Sequence, residues 1–337
     1  MNQRNQLAAA AAATAIVIAA CVAPGAGGTP LVETQGGSLT ALPTATTTTT
    51  TLGVPAGPAI APGTTVCDLY DTEVVELGEV ASEDVVEASG IVASRVNAAT
   101  YWVINDSGND SVLHAVGEDG ADLAAIAVRG VFAFDWEDIA VGPGPEEGIS
   151  YLYIGDIGDN LELRSTIALL RFPEPNLEAN PVAVTEVETI RLSYPDSAED
   201  SEAMWVDPIT GDIFVVTKRQ EDGRAVVYRT SAELLESAEP APMTAIAEFE
   251  FGDKISVTAA DITEDGAVVA LRGYDEVWMW VRSDMTLVDT FAAEPCQAPS
   301  PDEVQGESLA FVRGGLAYVT VSEGKAKPIN LVSPTAP

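Results

Sequence analysis

Five short segments of the chain, SGIVAS, EDIAVG, EAMWVD, ADITED and ESLAFV, repeat one pattern. Each sets an acidic or small polar pair ahead of a large aliphatic residue, at Ile91, Ile139, Met204, Ile262 and Leu309. A second apolar run follows every copy: YWVIND, YLYIGD, IFVVTK, VVALRG and AYVTVS. Third and fourth runs follow in most copies, such as SVLHAVG then DLAAIAV, or TIALLRF then ETIRLSY. The runs are rich in Val, Ile, Tyr and Trp and are bounded by turn residues, as strands are. Only SAELLESAE (231–239) reads as a short helix.

A unit of four short strands cannot bury both faces of its own sheet, so the units must pack on one another. Packing them in a ring leaves only short edges. The pattern predicts an all-β chain folded as a β-propeller of five four-stranded blades. Six blades is the alternative count, and a β-sandwich of similar strand number the alternative fold. The last copy stops short after PINLV, while EVVELGEV (73–80) precedes the first. An N-terminal strand is therefore predicted to complete the fifth blade and close the ring.

The segment before the repeats has a different character. Arg4 and the apolar run LAAAAAATAIVIAA end in Ile18-Ala19-Ala20-Cys21, which resembles a bacterial lipoprotein signal, with an ordinary secretory signal as the alternative. On this reading residues 1–20 are removed, Cys21 carries lipid, and the protein sits on the outer face of the bacterial cell membrane. The Thr/Pro/Gly/Ala-rich stretch 21–65 has no hydrophobic period and reads as a disordered tether. The propeller is predicted over 66–333. With Cys21 lipidated, Cys67 and Cys296 are left to pair in an oxidising compartment, across the predicted closure.

The 52 acidic residues outnumber the 16 basic ones, for a net charge of -36. Such a surface repels nucleic acid and anionic lipid as partners. It suits cation binding or simple solubility, and a monomer is expected. Chemistry is narrowed further by a single histidine, His114, which alternates with Val112 and Val116 as a strand residue does. Histidine-based zinc sites, Ser-His-Asp triads and Cys-His dyads are thereby disfavoured. An enzyme built on this chain would need carboxylate acid–base chemistry or metal-activated water.

In a propeller the turns before the first strand and after the second strand of each blade open on one mouth of the ring. DWED and GDIGDN are two such turns, and Asp135, Glu137, Asp138, Asp156 and Asp159 thus gather there with Asp106 of NDSGND. Hard oxygen donors on loops suit calcium, which takes six to eight of them. Later copies place Lys218, Arg219 and Arg272 at the matching positions, facing Asn105 of the first copy. That set suits an anionic small molecule or a protein partner. The same acidic stretches are also good turn sequences, so a structural role stands as the alternative.

The motifs SGI, YWVINDSG, DWEDIA, YIGDIGDN and LLRFPEP, over about residues 87–175, resemble a group of secreted bacterial β-propeller proteins. These are distantly similar to the phytase-like, esterase-like propeller family. The resemblance implies calcium and phosphoester hydrolysis. Two functions follow as expectations: a surface-tethered module binding calcium and a ligand or partner, favoured, and a calcium-dependent phosphoester hydrolase.

Overall fold

The computed structural model describes residues 64–218, 224–237, 239–250, 256–282 and 286–335. Cys21, the signal and nearly all of the tether lie outside the described residues, as does Arg219.

Among the described residues a 3-10 turn (Val66–Leu69) leads into strand β1 (Tyr70–Glu79). Blade 1 follows as β2 (Ala88–Ala93), β3 (Thr100–Asn105), β4 (Val112–Gly117) and β5 (Asp122–Val128). Blade 2 is β6 (Trp136–Pro143), β7 (Ser150–Asp156), β8 (Thr166–Pro173) and β10 (Glu188–Ser193), with a short β9 (Ala183–Val184) in the connection between β8 and β10. Blade 3 is β11 (Ser201–Val206), β12 (Ile213–Thr217), β13 (Arg224–Thr230) and β15 (Thr244–Glu250), with helix α1 (Ala232–Ser237) and a short β14 (Ala241–Pro242) in the connection between β13 and β15. Blade 4 is β16 (Val257–Ile262), β17 (Val268–Gly273), β18 (Val277–Val281), helix α2 (Leu287–Thr290) and β19 (Cys296–Ala298). Blade 5 is β20 (Gly306–Phe311), β21 (Tyr318–Ser322) and β22 (Pro328–Pro334).

The protein is an all-β, five-bladed propeller. Its first strands touch in the cyclic order β2, β6, β11, β16, β20 and back to β2. β1 returns to pair antiparallel with β22, Val74 opposite Val332 and Val75 opposite Leu331, and so completes blade 5. Cys67, just ahead of β1, is bonded to Cys296 on the outer strand of blade 4. The disulfide thus ties the closing strand to the neighbouring blade. Two blades exceed the predicted four strands. β9 pairs parallel to β5 and gives blade 1 a fifth strand, and β14 does the same for blade 2 on β10. Each comes from a connection long enough to reach the previous blade and cover its open edge, where unpaired backbone groups would otherwise face solvent.

The core explains why every first strand is apolar on both faces. It is five clusters, one between each pair of adjacent blades. Trp102 and Leu113 meet Trp136 and Ile154 between blades 1 and 2. Tyr153 and Leu169 meet Met204 and Tyr228 between blades 2 and 3. Trp205 and Phe214 meet Leu271 and Trp280 between blades 3 and 4. Met279 meets Leu309 and Tyr318 between blades 4 and 5, and Val319 meets Ile91 and Tyr101 where the ring closes. The tryptophans are therefore core residues, and none lies exposed at the mouth for stacking. His114 is buried too, and burial lowers its pKa, so it stays neutral.

Candidate functional site

One irregularity recurs in all five blades. The pairing of each first strand with its second skips one residue: Ser89, Glu137, Glu202, Thr258 and Glu307. A bulge of this kind takes one residue out of the ladder and re-aims its side chain. Here five equivalent bulges surround one end of the channel. Three of the five residues are glutamates from different blades, and all five are buried.

The turns after the second strands open on the same end. The backbone links Asp106 to Glu87, Ile157 to Asp135, Lys218 to Asp200 and Glu323 to Gln305, each pair joining a second-strand exit to a first-strand entry. Asp106, Asp135 and Glu137 converge there, and one carboxylate oxygen from each lies within 4.8 Å of the others. Oxygens about 2.3–2.6 Å from a calcium ion lie at most roughly 5 Å apart across it, so this trio can share one ion.

The electrostatics of the mouth are strained. Glu137 is held well above the usual carboxylate range by burial, then by Glu202, Asp106 and Asp135. Burial, followed by Asp106, raises Asp135. Burial also raises Asp106 and Glu307. Glu202 is pushed up to about 8 by burial, although Lys218 pulls it down. Burial alone would lower Lys218, but the Glu202 carboxylate it bonds more than offsets this and holds the ammonium charged. One lysine thus serves several mutually repelling carboxyls.

The other residues expected at the site have separate duties. Asp138 has no exposure and lies below the mouth, where it accepts N–H groups from Ile139 at 2.8 Å, Met204 at 2.8 Å and Ala260 at 3.3 Å. It reaches from blade 2 to the first strands of blades 3 and 4, a staple across the channel. Asp156 accepts from Arg164 at 2.8 Å and from the Phe134 N–H at 3.2 Å. Asp159 accepts from the Arg164 N–H, and its own N–H donates to Asp200 at 2.7 Å. Both aspartates shape the loop after β7 and stand outside the trio. Asn105 accepts from Val86 and Glu87 and donates to the Asp84 carbonyl, pinning the entry to blade 1.

Arg272 corrects the expectation of a ligand-facing base. It is fully buried, paired with Glu303 and donating to the Ser308 carbonyl at 3.0 Å. Glu303 also accepts from Thr320 at 2.7 Å and Asn330 at 2.6 Å, so the pair locks blade 4 to blade 5. Gly306 makes room for it: a Cβ there would fall 1.8 Å from an Arg272 nitrogen. Of the predicted ligand-binding set, Lys218 bonds a mouth carboxylate, Asn105 is spent on the entry to blade 1, and Arg219 lies outside the described residues.

Glu202 and Glu307 stand at the start of first strands as Glu137 does, but the expected metal and ligand set did not include them, although a signal was present. Glutamate stands two residues ahead of the aligned aliphatic in three copies, before Ile139, Met204 and Leu309. In blade 4 the alignment on Ile262 is out of phase. The bulge marks Ala260 as the true equivalent and Thr258 as the mouth residue. Asp261 instead accepts the Ile262 and Phe311 N–H groups, each at 2.8 Å, as a second interblade staple. The opposite face has a cavity of about 400 Å³ between blades 2 and 3. Its one arginine, Arg171, is already paired with Glu188 and Glu236.

No protein-family model matches the chain, and no curated protein matches it. Among solved structures it is similar to Chaetomium thermophilum Raptor, at 12% identity over 75% of this chain with a TM-score of 0.38. The chain spans only 20% of that protein's length. It is also similar to the β-propeller domain of Myceliophteria thermophila Cps50 (Swd1), at 11% identity over 74% of this chain and 83% of that one, with a TM-score of 0.40. At such values neither says anything of function.

Proposed function

We propose that the propeller mouth binds a divalent cation, calcium fitting best, and that the protein is a binding module tethered outside the cell through lipid on Cys21. The observation that carries the cation reading is the trio Asp106, Asp135 and Glu137, drawn from two blades with oxygens within 4.8 Å. The donors are all hard oxygens, which favours calcium over thiolate- or imidazole-seeking metals. Burial raises all three carboxyls, Asp106 further raises Asp135 and Glu137, and a dication between them would relieve that repulsion. Calorimetric titration with calcium tests this reading. Binding should appear below millimolar calcium and weaken by about tenfold or more in Asp135→Asn, since affinity follows the count of charged ligands. No heat at millimolar calcium ends the proposal.

One observation favours hydrolysis as a second reading. The Lys218 ammonium lies within electrostatic reach of Glu137, Glu202 and Asp106, and could hold a phosphoryl oxygen beside the ion. Metal-activated water would then supply the nucleophile. Calcium-dependent turnover of a generic phosphoester, lost in Asp135→Asn, would establish it. Absence of turnover leaves the binding module, which is the reading favoured here.

A further inference from the structure

The rim beside the acidic mouth carries an apolar surface that the cation reading does not use. Phe132 is 78% exposed and Phe134 58%, both on the loop entering blade 2. Leu161 and Leu163, each 77% exposed, lie on the loop leaving β7. These two loops form one surface. The Phe134 N–H donates to Asp156, which also binds Arg164, and the Arg164 guanidinium lies 4.9 Å from the Phe134 ring centroid. Asp135 follows Phe134 directly, so the apolar surface runs into the carboxylate trio. Scattered exposed apolar residues need no explanation, but four large ones on adjoining loops beside a charged recess mark an interaction surface.

Charge decides what fits there. We infer that this rim docks a segment of another protein presenting a Lys or Arg next to large apolar residues. The cation would enter the mouth while its apolar neighbours cover Phe132, Phe134, Leu161 and Leu163. Electrostatic complementarity of this kind fixes register and rejects other partners. A second copy of this chain would bring a second acidic mouth against the first. An anionic membrane meets the same repulsion from a chain of net charge -36. Residues 1–63 of the chain itself carry only Arg4 as a base. The inference does not rest on calcium: the metal-free carboxylates attract a lysine, and a bound dication would compete for the same oxygens, so peptide selection and peptide titration are run in chelator.

Selection from a random octapeptide display library on the immobilised full chain tests it. Enriched peptides should contain Lys or Arg within two residues of Leu, Phe or Trp. In calorimetry the best of them should bind the wild type and lose at least about tenfold in affinity to Phe132→Ser/Phe134→Ser and to Leu161→Ser/Leu163→Ser. The substituted side chains are largely exposed, so the thermal midpoint should hold, and calcium titration of the same variants reads the trio separately. Loss of peptide binding with calcium binding retained supports the rim, and so does peptide binding in a wild type that takes no calcium. The inference is overturned by no enrichment, by acidic or uncharged winners, or by serine variants that keep full peptide affinity. Wild-type dimers or vesicle association abolished by the same serine changes would also overturn it, by assigning the surface to a copy of the chain or to a membrane.

Discussion

Glu137 at the mouth and Asp138 at the waist of the channel are neighbours on β6, and both are removed from solvent. Burial pushes both carboxyls well up. What opposes it differs. Three backbone N–H groups from three blades pull Asp138 down, whereas Lys218 alone among the leading influences pulls Glu137 down, against Glu202, Asp106 and Asp135. The waist is a polar group bonded by three backbone donors, and its removal orphans them. The mouth is a cluster of carboxyls that repel one another while sharing few donors, and removing one relieves repulsion. A buried polar group that is fully bonded holds a fold together, and carboxyls crowded together are where a cation would be stabilised.

The largest expected effect is at the waist. Asp138→Ala strands buried N–H groups on the first strands of three blades. Its cost should be about 3–5 kcal/mol in chemical denaturation, as for other broken buried networks. Asp138→Asn keeps one acceptor and should lose less. Glu137→Gln, one residue away, should lose no stability in chelator and should weaken calcium binding. Equal destabilisation by Asp138→Ala and Glu137→Gln would erase the distinction between waist and mouth.

The second effect is on pH dependence. A carboxyl whose folded pKa is raised binds more protons folded than unfolded. It therefore adds stability below its unfolded pKa and loses it as pH rises through the folded value. Glu202 is raised to about 8, so its contribution is lost as pH rises toward 8, and Glu137, Glu307, Asp106 and Asp135 shift in the same direction. In chelator, stability should fall by about 1–3 kcal/mol between pH 5 and pH 8, and Glu202→Gln should flatten the fall. Saturating calcium should restore most of it at pH 8 and little at pH 5. A rise in stability over that range would mean that the mouth carboxyls are already neutralised by other groups.

The comparison also shows what a sequence can carry. The blade count and the closing strand were legible because they rest on a repeat and on one strand too few in the last copy. The Cys67–Cys296 bond followed from counting. Asp106, Asp135 and Glu137 were legible as acids at turns. The difference between Glu137 and Asp138 was not, because a bulge turns adjacent residues to different surroundings and leaves no mark in composition. Arg272 failed for a different reason: it pairs with Ala259 as Val216 pairs with Ala203, two residues short of the Lys218 position, and Gly306 leaves room for it inside. Blade 4 drifted by two residues because ADIT mimics EDIA while its bulge lies earlier, at Thr258.

The smallest effect separates the bulge from the charge it carries. Ser89 holds the blade 1 position equivalent to Glu137, and its hydroxyl donates to the Glu137 carbonyl at 2.6 Å while lying 3.3 Å from the Glu137 carboxylate. If the bulges serve only to aim acids at the mouth, a serine there is a spacer. If they also join the blades, its hydroxyl is a structural bond worth about 1 kcal/mol. Ser89→Ala should cost about that much in denaturation and leave the calcium titration unchanged, because the trio keeps its oxygens. A matching loss of calcium affinity would show that Ser89 positions Glu137, and that the ring of bulges works as one unit.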